Sequence, residues 1–363
     1  MEWVKLTEIS NPKQWKTISK NQLIESGYPV YGANGKIGFY NKYNHEDPTI
    51  LITCRGATCG TLNISEPYSY INGNAMSIDD LNVEKVNIMY LYYFLKYRGF
   101  NDVISGSAQP QITRTNLEKI LIPLFENKLQ LKIVKSLEKI EDIIKKRKEQ
   151  IQAYDDLIES LFFEMFNSLN TSDISLKKLI KFSKNSIYDF TDYLDENYIG
   201  VQDIEKESGK ILKIEKVSNS NIKSSKNYFT KDDVLYSRIR PNLNKVALPN
   251  FNGLVSSEVF VINCSDKINK YFLAYTLRSK KFVSYAMLNS SGANFPRVNK
   301  KTIEDYKVKV PPIELQNKFA DYVIKIEEEK KKLNSSLKEL EDLFDALMQD
   351  AFSGNLFKDW EGR

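Results

Sequence analysis

Histidine and cysteine are scarce in this 363-residue chain, which has one histidine and three cysteines. His45 stands alone in a polar turn, so His-based catalytic triads and most zinc sites lack their ligands, and we interpret it as a satisfied surface residue. Cys54, Cys59 and Cys264 have neither a disulfide framework nor the spacing of a zinc knuckle, so we expect reduced thiols. The composition therefore gives no indication of catalysis or of a metal site.

Long apolar runs are missing too, since nowhere do eighteen apolar residues follow one another. The first residues also lack a basic-then-apolar leader pattern, and we expect a soluble protein of the cytoplasm. Residues 30–37 come nearest to a phosphate-binding loop, but they lack its first glycine and the Ser or Thr that holds magnesium, so we interpret them as a Gly-rich turn. The amino-methyltransferase signature is absent, because Pro311-Pro312 stands between valine and isoleucine. We expect no enzyme activity in this chain.

The chain instead contains an internal repeat. A constant offset of 186 residues separates Pro110 from Pro296 and Gln130 from Gln316, and no gap is needed between these matches. A unit made of a globular segment and a long helix therefore occurs twice, which predicts a pseudo-symmetric molecule. Such a molecule is suited to a pseudo-symmetric or two-part ligand.

Each repeat ends in heptads of apolar residues, a spacing that keeps one seam against a partner helix. The seam positions are Ile133, Leu137, Ile140, Ile144, Ile151, Ile158 and Leu161 in the first segment and Phe319, Val323, Ile326, Leu333, Leu337, Leu340, Phe344 and Leu347 in the second. Each helix should be roughly 50 Å long at 1.5 Å per residue. Arg147 and Lys330 interrupt the seams, and we interpret them as register markers or as side chains that reach out to solvent. Two separate amphipathic helices, each packed on its own domain, are the alternative.

The order of domain, helix, domain and helix predicts an α+β fold. We expect two mixed α/β domains with pseudo-two-fold symmetry, separated by two long antiparallel coiled-coil helices. The expected boundaries are residues 1–125 for the first domain, 126–170 for a central spacer helix, 171–311 for the second domain and 312–363 for a distal spacer helix with its tail. The symmetry would bring the termini together and return Gly354-Asn355-Leu356 toward the first domain.

Local patterns place elements within the two domains. Residues 49–53, 233–237 and 259–262 are apolar runs that predict strands, whereas residues 88–97 and 271–277 predict matching helices.

Polar and basic loops occur at matched places in both repeats. Arg, Asn, Gln and Glu side chains read base edges, while Lys, Ser and Thr contact phosphates. A single loop of this kind carries little weight, because solvated turns share its composition; recurrence in both repeats is what favours nucleic acid. The net charge of +5 permits such a partner without requiring one. The candidate DNA-binding residues are Lys36, Arg55, Thr58, Asn72, Asn74, Gln109, Gln111 and Arg114 in the first repeat and Ser237, Arg238, Arg240, Asn242, Asn244, Lys245, Ser257, Asn294 and Arg297 in the second.

Several short segments of the sequence together form a specific pattern, although each segment alone is short and matches many proteins. They are residues 51–60 with 72–75, 233–241 with Lys245, 296–300, 310–316 and 351–356. Together they resemble the specificity (S) subunits of type I restriction-modification enzymes, and the resemblance extends over essentially the whole chain. The first repeat departs from the pattern in residues 121–130, which lack the double proline of the second, so the approach to its helix is expected to differ.

The resemblance implies a subunit of a host-defence system with two target-recognition domains, each reading half of a bipartite DNA site. The helices would fix the gap, and a spacer of roughly 50 Å suits half-sites about one DNA turn or slightly more apart. Two modification (M) subunits, which carry S-adenosylmethionine and methylate adenine, would dock on the chain, with restriction (R) subunits as further partners. No cofactor is expected on the chain itself. The alternatives are the DNA-reading subunit of a single complex that cuts and methylates, an enzyme in its own right, and a coiled-coil adaptor between proteins.

Overall fold

A computed structural model describes residues 2–106, 108–167, 172–292 and 294–353. The chain divides into a first unit, Met1–Glu149 with Asn334–Arg363, and a second unit, Gln150–Leu333. Within the described ranges, no helix is long and apolar enough to cross a membrane. Gly354-Asn355-Leu356, for which a return toward the first domain was expected, lies outside the described residues.

The first unit is built from short strands and a few helices. Its elements are β1 Glu2–Lys5, α1 Leu6–Ile9, β2 Asn11–Gln14, a 3-10 turn Lys20–Gln22, β3 Tyr28–Gly32, β4 Gly35–Tyr40, β5 Ile50–Thr53, β6 Leu62–Ile64, β7 Tyr70–Ile71, β8 Ala75–Asp79, α2 Ile88–Arg98, α3 Arg114–Leu117, β9 Leu121–Leu124 and the start of α4 Asn127–Phe166. β1 pairs with β9, β2-β8-β5-β6 form an antiparallel sheet, and β4-β3-β7 form a third sheet in which β3 and β7 are parallel.

One hydrophobic core holds the first unit together. Ile50 and Ile52 of β5 pack with Tyr90 and Phe94 of α2, and the seam residues of both long helices that lie in this unit complete the cluster. Strand β5 is buried along its whole length, as a continuous apolar run predicts. The predicted strand at 49–53 and the predicted helix at 88–97 are therefore confirmed.

The second unit follows the same plan with additional strands. Its elements are the rest of α4, β10 Asp173–Ser175, β11 Ile180–Phe182, β12 Ser186–Ile187, β13 Asn197–Ile199, β14 Glu215–Lys216, β15 Lys226–Phe229, β16 Val234–Ser237, β17 Val246–Ala247, β18 Gly253–Ser256, β19 Val259–Cys264, α5 Lys270–Arg278, α6 Lys280–Leu288, α7 Lys300–Asp305, β20 Lys307–Lys309 and α8 Ile313–Phe352, with 3-10 turns at Leu176–Lys178, Thr191–Tyr193, Val201–Asp203, Val217–Asn219 and Pro241–Leu243. β10 pairs with β20, β11-β19-β16-β17 form an antiparallel sheet, and β12-β15-β18-β13-β14 form a larger mixed sheet.

The repeat is visible in the sheets. The order β11-β19-β16-β17 in the second unit matches β2-β8-β5-β6 in the first, with every neighbouring pair antiparallel in both. One face of the second sheet packs on α5, and the other face packs on the larger mixed sheet. The predicted strands at 233–237 and 259–262 and the helix at 271–277 are confirmed.

A buried glutamine begins each long helix and makes the same bonds in both units. Gln130 is fully buried; its side-chain amide donates to the carbonyls of Lys85 and Phe125 at 2.9 and 2.8 Å and accepts from the backbone N–H of Asn87 at 2.8 Å. Asn87 in turn caps α2, since its side chain accepts from two amides of the first turn. The long helix, the segment before it and the cap of the domain helix are thus joined by one side chain.

Gln316 repeats this arrangement in the second unit. Its amide donates to the carbonyls of Lys267 and Pro311 at 3.2 and 2.8 Å and accepts from the N–H of Asn269, the cap of α5, at 2.8 Å. The residues before the two helices differ, Phe125 against Pro311, but both supply a carbonyl in the same place. The missing double proline of the first repeat therefore leaves this arrangement unchanged.

The long helices pack through their heptad residues. Each predicted seam residue is buried or half-buried. In the second unit Lys330 pairs with Asp155 at 2.5 Å, and Phe162 contacts Phe319 with ring centroids 5.4 Å apart, so α4 and α8 run antiparallel there. Lys330 also pairs with Glu327 at 2.9 Å. Its ammonium group is therefore held by two carboxylates and does not simply reach out to solvent.

Replacing either buried glutamine by Met should destabilise its unit. Gln316→Met or Gln130→Met keeps the length of the side chain but leaves one N–H and two carbonyls without their partner, at a cost of about 2 to 3 kcal/mol. Urea unfolding monitored by circular dichroism measures the effect. Gln150→Met is the matched control, because Gln150 is exposed on the same helix as Gln130. Equal stability of all three variants would show that the amides are not structural.

Candidate nucleic-acid interface

A tight hairpin ends the loop region of each unit. Ser105 bridges to Gln111 in the first unit, and Ser291 bridges to Arg297 in the second. Gly106 and Gly292 start the turns with φ of 89° and 97°, a region that favours glycine. A Cβ at Gly106 would lie 2.5 Å from the carbonyl oxygen of Gln109, so no other residue fits there without a shift. The two glycines of the repeat therefore have the same backbone conformation at matched positions.

Each hairpin docks on the loop that follows the central strand of its four-stranded sheet. In the first unit, Gly56 N–H donates to the Pro110 carbonyl and Ile112 N–H donates to the Cys54 carbonyl, both at 3.0 Å. These bonds follow β5 and place Arg55 beside the hairpin. The loop and the hairpin thus form one continuous surface.

The second unit repeats this docking after β16. Arg240 N–H donates to the Pro296 carbonyl at 2.8 Å, and Val298 N–H donates to the Arg238 carbonyl at 2.9 Å. Ile239 bridges to Arg297, as Arg55 bridges to Gln111 in the first unit. The same backbone bonds therefore present different side chains in the two units.

The first surface contains a cleft of about 210 Å³ between β2 and the hairpin. Its lining residues are Pro12, Lys13, Gln14, Arg55, Met76, Gln111, Ile112, Thr113 and Arg114. Arg55 and Arg114 are exposed, and neither makes an ion pair with another described residue. Cations and amides above an apolar floor can contact a phosphate and a base edge together.

The second surface is organised around one carboxylate. Glu258 Oε2 lies 3.5 Å from the Nε atoms of both Arg238 and Arg297. The guanidinium of Arg238 also stacks over Phe260, with its carbon 5.6 Å from the ring centroid. These contacts restrain the two arginines: Arg297 donates to the carboxylate at 3.5 Å, whereas Arg238, whose Nε has no hydrogen-bond partner among the described residues, is restrained by the ring and by charge alone.

Arg240 stands apart from this ion-pair cluster. Its backbone is left-handed with φ of 48°, its side chain is exposed, and its guanidinium carbon lies 4.8 Å from the ring centroid of Phe295. Stacking on a ring restricts a long side chain without using its hydrogen-bond donors. Arg240 therefore offers a restrained cation on the surface.

A family model described as the type I restriction modification DNA specificity domain matches residues 1–153 and 168–354. The chain belongs to this family. One match falls on each repeat, and the resemblance drawn from the sequence is confirmed.

Curated relatives have the same family name. The chain is 27% identical over 173 residues to the type I restriction enzyme EcoDI specificity subunit of Escherichia coli. The aligned residues make up 47% of this chain and 38% of that protein. It is 31% identical over 196 residues to the putative type I restriction enzyme MjaX specificity subunit of Methanocaldococcus jannaschii. Here the aligned residues make up 48% of this chain and 44% of that protein. The chain thus spans less than half the length of these curated relatives.

Solved structures of family members have the same fold. The S subunit of a type I restriction-modification system from M. genitalium superposes with a TM-score of 0.62 at 16% identity, over 97% of this chain and 96% of that one. A chain from work on complex assembly and conformational transition of the type I system gives a TM-score of 0.57 at 15% identity, over 98% of both. At such identities the likeness concerns the fold alone, and it confirms the predicted α+β class.

Two predicted site residues of this family member lie in the interior. Asn72 is 2% exposed, and its amide donates to the carbonyl of Ile18 at 3.2 Å. Ser237 is 3% exposed, and its hydroxyl donates to the carbonyl of Ile239 at 3.2 Å. Both side chains satisfy backbone carbonyls of the loops, so they support the surface rather than form it.

Asn244 and Lys245 are also engaged with the backbone. The Asn244 amide donates to the carbonyl of Arg278 at 2.8 Å, and the Lys245 ammonium donates to the carbonyl of Val201 at 2.9 Å. Burial lowers the pKa of Lys245. These two residues brace the loop that carries Arg240, and their direct contact with DNA stays a prediction.

The other predicted residues lie at the surface. Lys36 pairs with Glu66 at 3.2 Å, and the Thr58 hydroxyl donates to the Asn34 side chain at 2.7 Å. The remaining predicted residues on exposed loops are Asn74, Gln109, Asn242, Ser257 and Asn294.

Three residues of these surfaces were missed by the sequence-based prediction. Lys13 and Gln14 come from β2, far from the hairpin in sequence, and no local pattern indicates that they line the first cleft. Lys300 lies over the ring of Phe182, with its ammonium 5.4 Å from the centroid. It stands 186 residues after Arg114, so the repeat offset could have identified it.

The single histidine is not a surface residue, and it belongs to a hydrogen-bonded cluster next to β2, the strand that lines the first cleft. His45 Nε2 lies 2.8 Å from one oxygen of Asp79, and the indole N–H of Trp15 donates to the other oxygen at 3.0 Å. Trp15 directly follows Gln14, so this cluster holds the end of β2. Burial opposes ionisation of Asp79, but bonds from His45, Ser77 and Trp15 outweigh it and lower the pKa of the carboxyl.

Asp79→Asn should destabilise the first unit by about 1 to 2 kcal/mol at pH 7, because an amide cannot accept on both sides. The folded-state pKa lies below the unfolded value of about 3.9, so the contribution is present above that pH and is lost as the pH falls through the folded pKa. The gap between wild type and variant should therefore narrow below about pH 4. Urea unfolding at several pH values measures it, with exposed Asp47→Asn as the control. A gap that widens in acid would contradict this assignment.

Proposed function

We propose that this chain is the DNA-recognition subunit of a type I restriction-modification complex and performs no catalysis itself. Family membership indicates the kind of system. The observation that carries the proposal is the pair of loop surfaces, which share a strand, loop and hairpin scaffold but present different side chains. One scaffold with two side-chain sets is suited to reading two different half-sites of one bipartite target.

In this proposal the first surface reads one half-site. Arg55 and Arg114 contact phosphate or guanine, while Gln111 at the cleft discriminates bases through its amide. The side-chain N–H of Gln14 donates to Cys54 Sγ and to the Gly73 carbonyl, so Gln14 braces the cleft. Each good bidentate pair discriminates by about 1 to 3 kcal/mol. The apolar floor keeps water from competing for the same edge.

The second surface reads the other half-site with a different charge pattern. Arg238 and Arg297 are held by Glu258, which can itself accept from the amino group of cytosine. Arg240 and Lys300 supply cations outside this cluster. Because the arginines are restrained in advance, less side-chain entropy is lost on binding.

The long helices set the gap and dock the methyltransferase subunits in this proposal. α4 and α8 have 40 residues each, which corresponds to about 60 Å. Leu157 and Leu343, separated by the repeat offset, are exposed apolar residues on the two helices. Equivalent exposed positions on each helix suit two copies of one partner, and we infer two M subunits. S-adenosylmethionine belongs to those subunits, which methylate adenine, and R subunits complete a cutting complex.

Mapping methylated adenines tests the proposal directly. The chain is co-expressed with the proposed M subunit from the same organism, and methylated adenines are read by single-molecule sequencing. The expected result is a two-part motif with a fixed unspecified gap. A stable complex with an active methyltransferase but no motif would instead favour the adaptor alternative.

Substitution should separate the two half-sites. Arg238→Ala with Arg240→Ala should abolish base preference at one half-site, and Arg55→Ala with Arg114→Ala should do so at the other, each by about 10- to 100-fold. Binding of the complex to duplexes with one half-site randomised measures both effects. Lys332→Ala, which removes an exposed cation from α8, is the control. Equal loss at both halves in either double variant would overturn the modular assignment.

A further inference from the structure

Phe295 is a large apolar side chain in the turn of the second hairpin. It is 54% exposed, whereas the exposed side chains of the same loop surface, Asn294, Arg240 and Arg297, are polar or basic. A single exposed ring is ordinary on most of a protein surface. This ring is distinguished by its place, because it lies among the side chains to which DNA recognition is assigned above.

The backbone of the turn fixes the position of Phe295. A Cβ at Gly292 would lie 2.9 Å from the carbonyl oxygen of Phe295, so the glycine allows the chain to close tightly on this residue. The carbonyl of the next residue, Pro296, accepts from the N–H of Arg240 at 2.8 Å. The backbone is therefore held on both sides of Phe295, while its ring stays largely in solvent.

The side chain of Arg240 restrains the ring as well. The guanidinium carbon lies 4.8 Å from the ring centroid, and the ring keeps more than half of its surface exposed in spite of this contact. Restraint before binding reduces the side-chain entropy that is lost when a ligand is bound. The ring is thus held in position and still has a free surface for a ligand.

The repeat places a different chemical group at the same position of the first hairpin. Gln109 precedes Pro110 as Phe295 precedes Pro296, one repeat offset apart. Both turns begin with a glycine of positive φ, and both proline carbonyls accept from a backbone N–H of the docked loop. The shared backbone thus presents an amide in one unit and an aromatic ring in the other. An amide contacts hydrogen-bonding groups, whereas a ring contacts apolar ones.

The base edges of duplex DNA include one apolar group, the 5-methyl group of thymine in the major groove. The other groups that are read there are hydrogen-bond donors and acceptors. Insertion of the ring between base pairs is the other apolar contact, but unstacking a base step costs about as much as stacking on one ring returns. Contact with the methyl group needs no distortion of the DNA, so thymine is the base that suits this ring.

We propose that Phe295 recognises a thymine of the second half-site through its 5-methyl group. The inference rests on the proposed function and deepens it. The arginines and Glu258 would read polar base edges, and the turn of the hairpin would add an apolar contact that distinguishes thymine from cytosine.

Replacing thymine by uracil tests this, because uracil lacks only the methyl group and keeps the hydrogen-bonding groups of thymine. Each thymine of the second half-site is replaced in turn, and binding of the complex with the M subunit is measured by fluorescence anisotropy. At one position uracil should weaken binding by about 3- to 10-fold. Phe295→Ala should weaken binding to the thymine duplex by a similar factor and bind both duplexes equally.

Two further variants serve as controls. Phe295→Leu keeps an apolar side chain and should retain part of the preference for thymine. Phe163→Ala removes a ring that is 63% exposed on α4 in the same unit, and it should leave the wild-type ratio of the two affinities unchanged.

The outcomes separate this inference from the proposed function. If the wild-type complex prefers its target over a randomised half-site but binds thymine and uracil equally at every position, the methyl contact is refuted and the proposed function stands. If Phe295→Ala loses affinity but keeps the wild-type preference for thymine over uracil, the ring serves only to hold Arg240, and the inference is wrong. A wild-type complex without any preference for its target would refute the proposed function, and this inference with it.

Discussion

The buried glutamine at the start of each long helix fixes how a domain attaches to its helix. Apolar packing is non-directional and would allow several rotations of the seam against the domain. A buried amide, in contrast, must find its partners. Gln130 and Gln316 find theirs in the cap of the domain helix and in the segment before the long helix. That geometry sets the position of α2 or α5, which supports the sheet, and the sheet in turn carries the loops.

Above this constant base the two loop surfaces share the backbone bonds of the hairpin and differ in charge. The hairpins at Gly106 and Gly292 make the same bridges and dock by the same carbonyls. In the first unit the arginines beside the hairpin are without ion pairs among the described residues, whereas Glu258 holds two arginines in the second. Conserved backbone bonds let side chains change without loss of the loop shape. Such a scaffold can vary its ligand while its stability stays nearly constant.

The sequence predicted periodic features well and side-chain burial poorly. The heptads, the buried strands and the repeat offset are patterns over many residues, so tertiary context rarely reverses them. Asn72 and Ser237 are different, because a polar residue that satisfies an internal carbonyl and one that faces solvent look the same in a sequence. Gln14 could not be placed, because only the pairing of β2 with β8 brings it to the hairpin. Lys300 could have been identified from the sequence, because it lies one repeat offset after Arg114.

Under the proposed function, the carboxylate of Glu258 makes the second surface contribute to DNA binding in a different way from the first surface. A phosphate that approaches Arg238 or Arg297 meets a negative charge already bound there, which weakens contacts that ignore sequence. A base edge can satisfy the arginines while the carboxylate accepts from a neighbouring amino group, so the right sequence avoids that cost. The first surface has no such counter-charge among its lining residues and gains more from phosphate. Affinity would thus rest mainly on the first unit and discrimination mainly on the second.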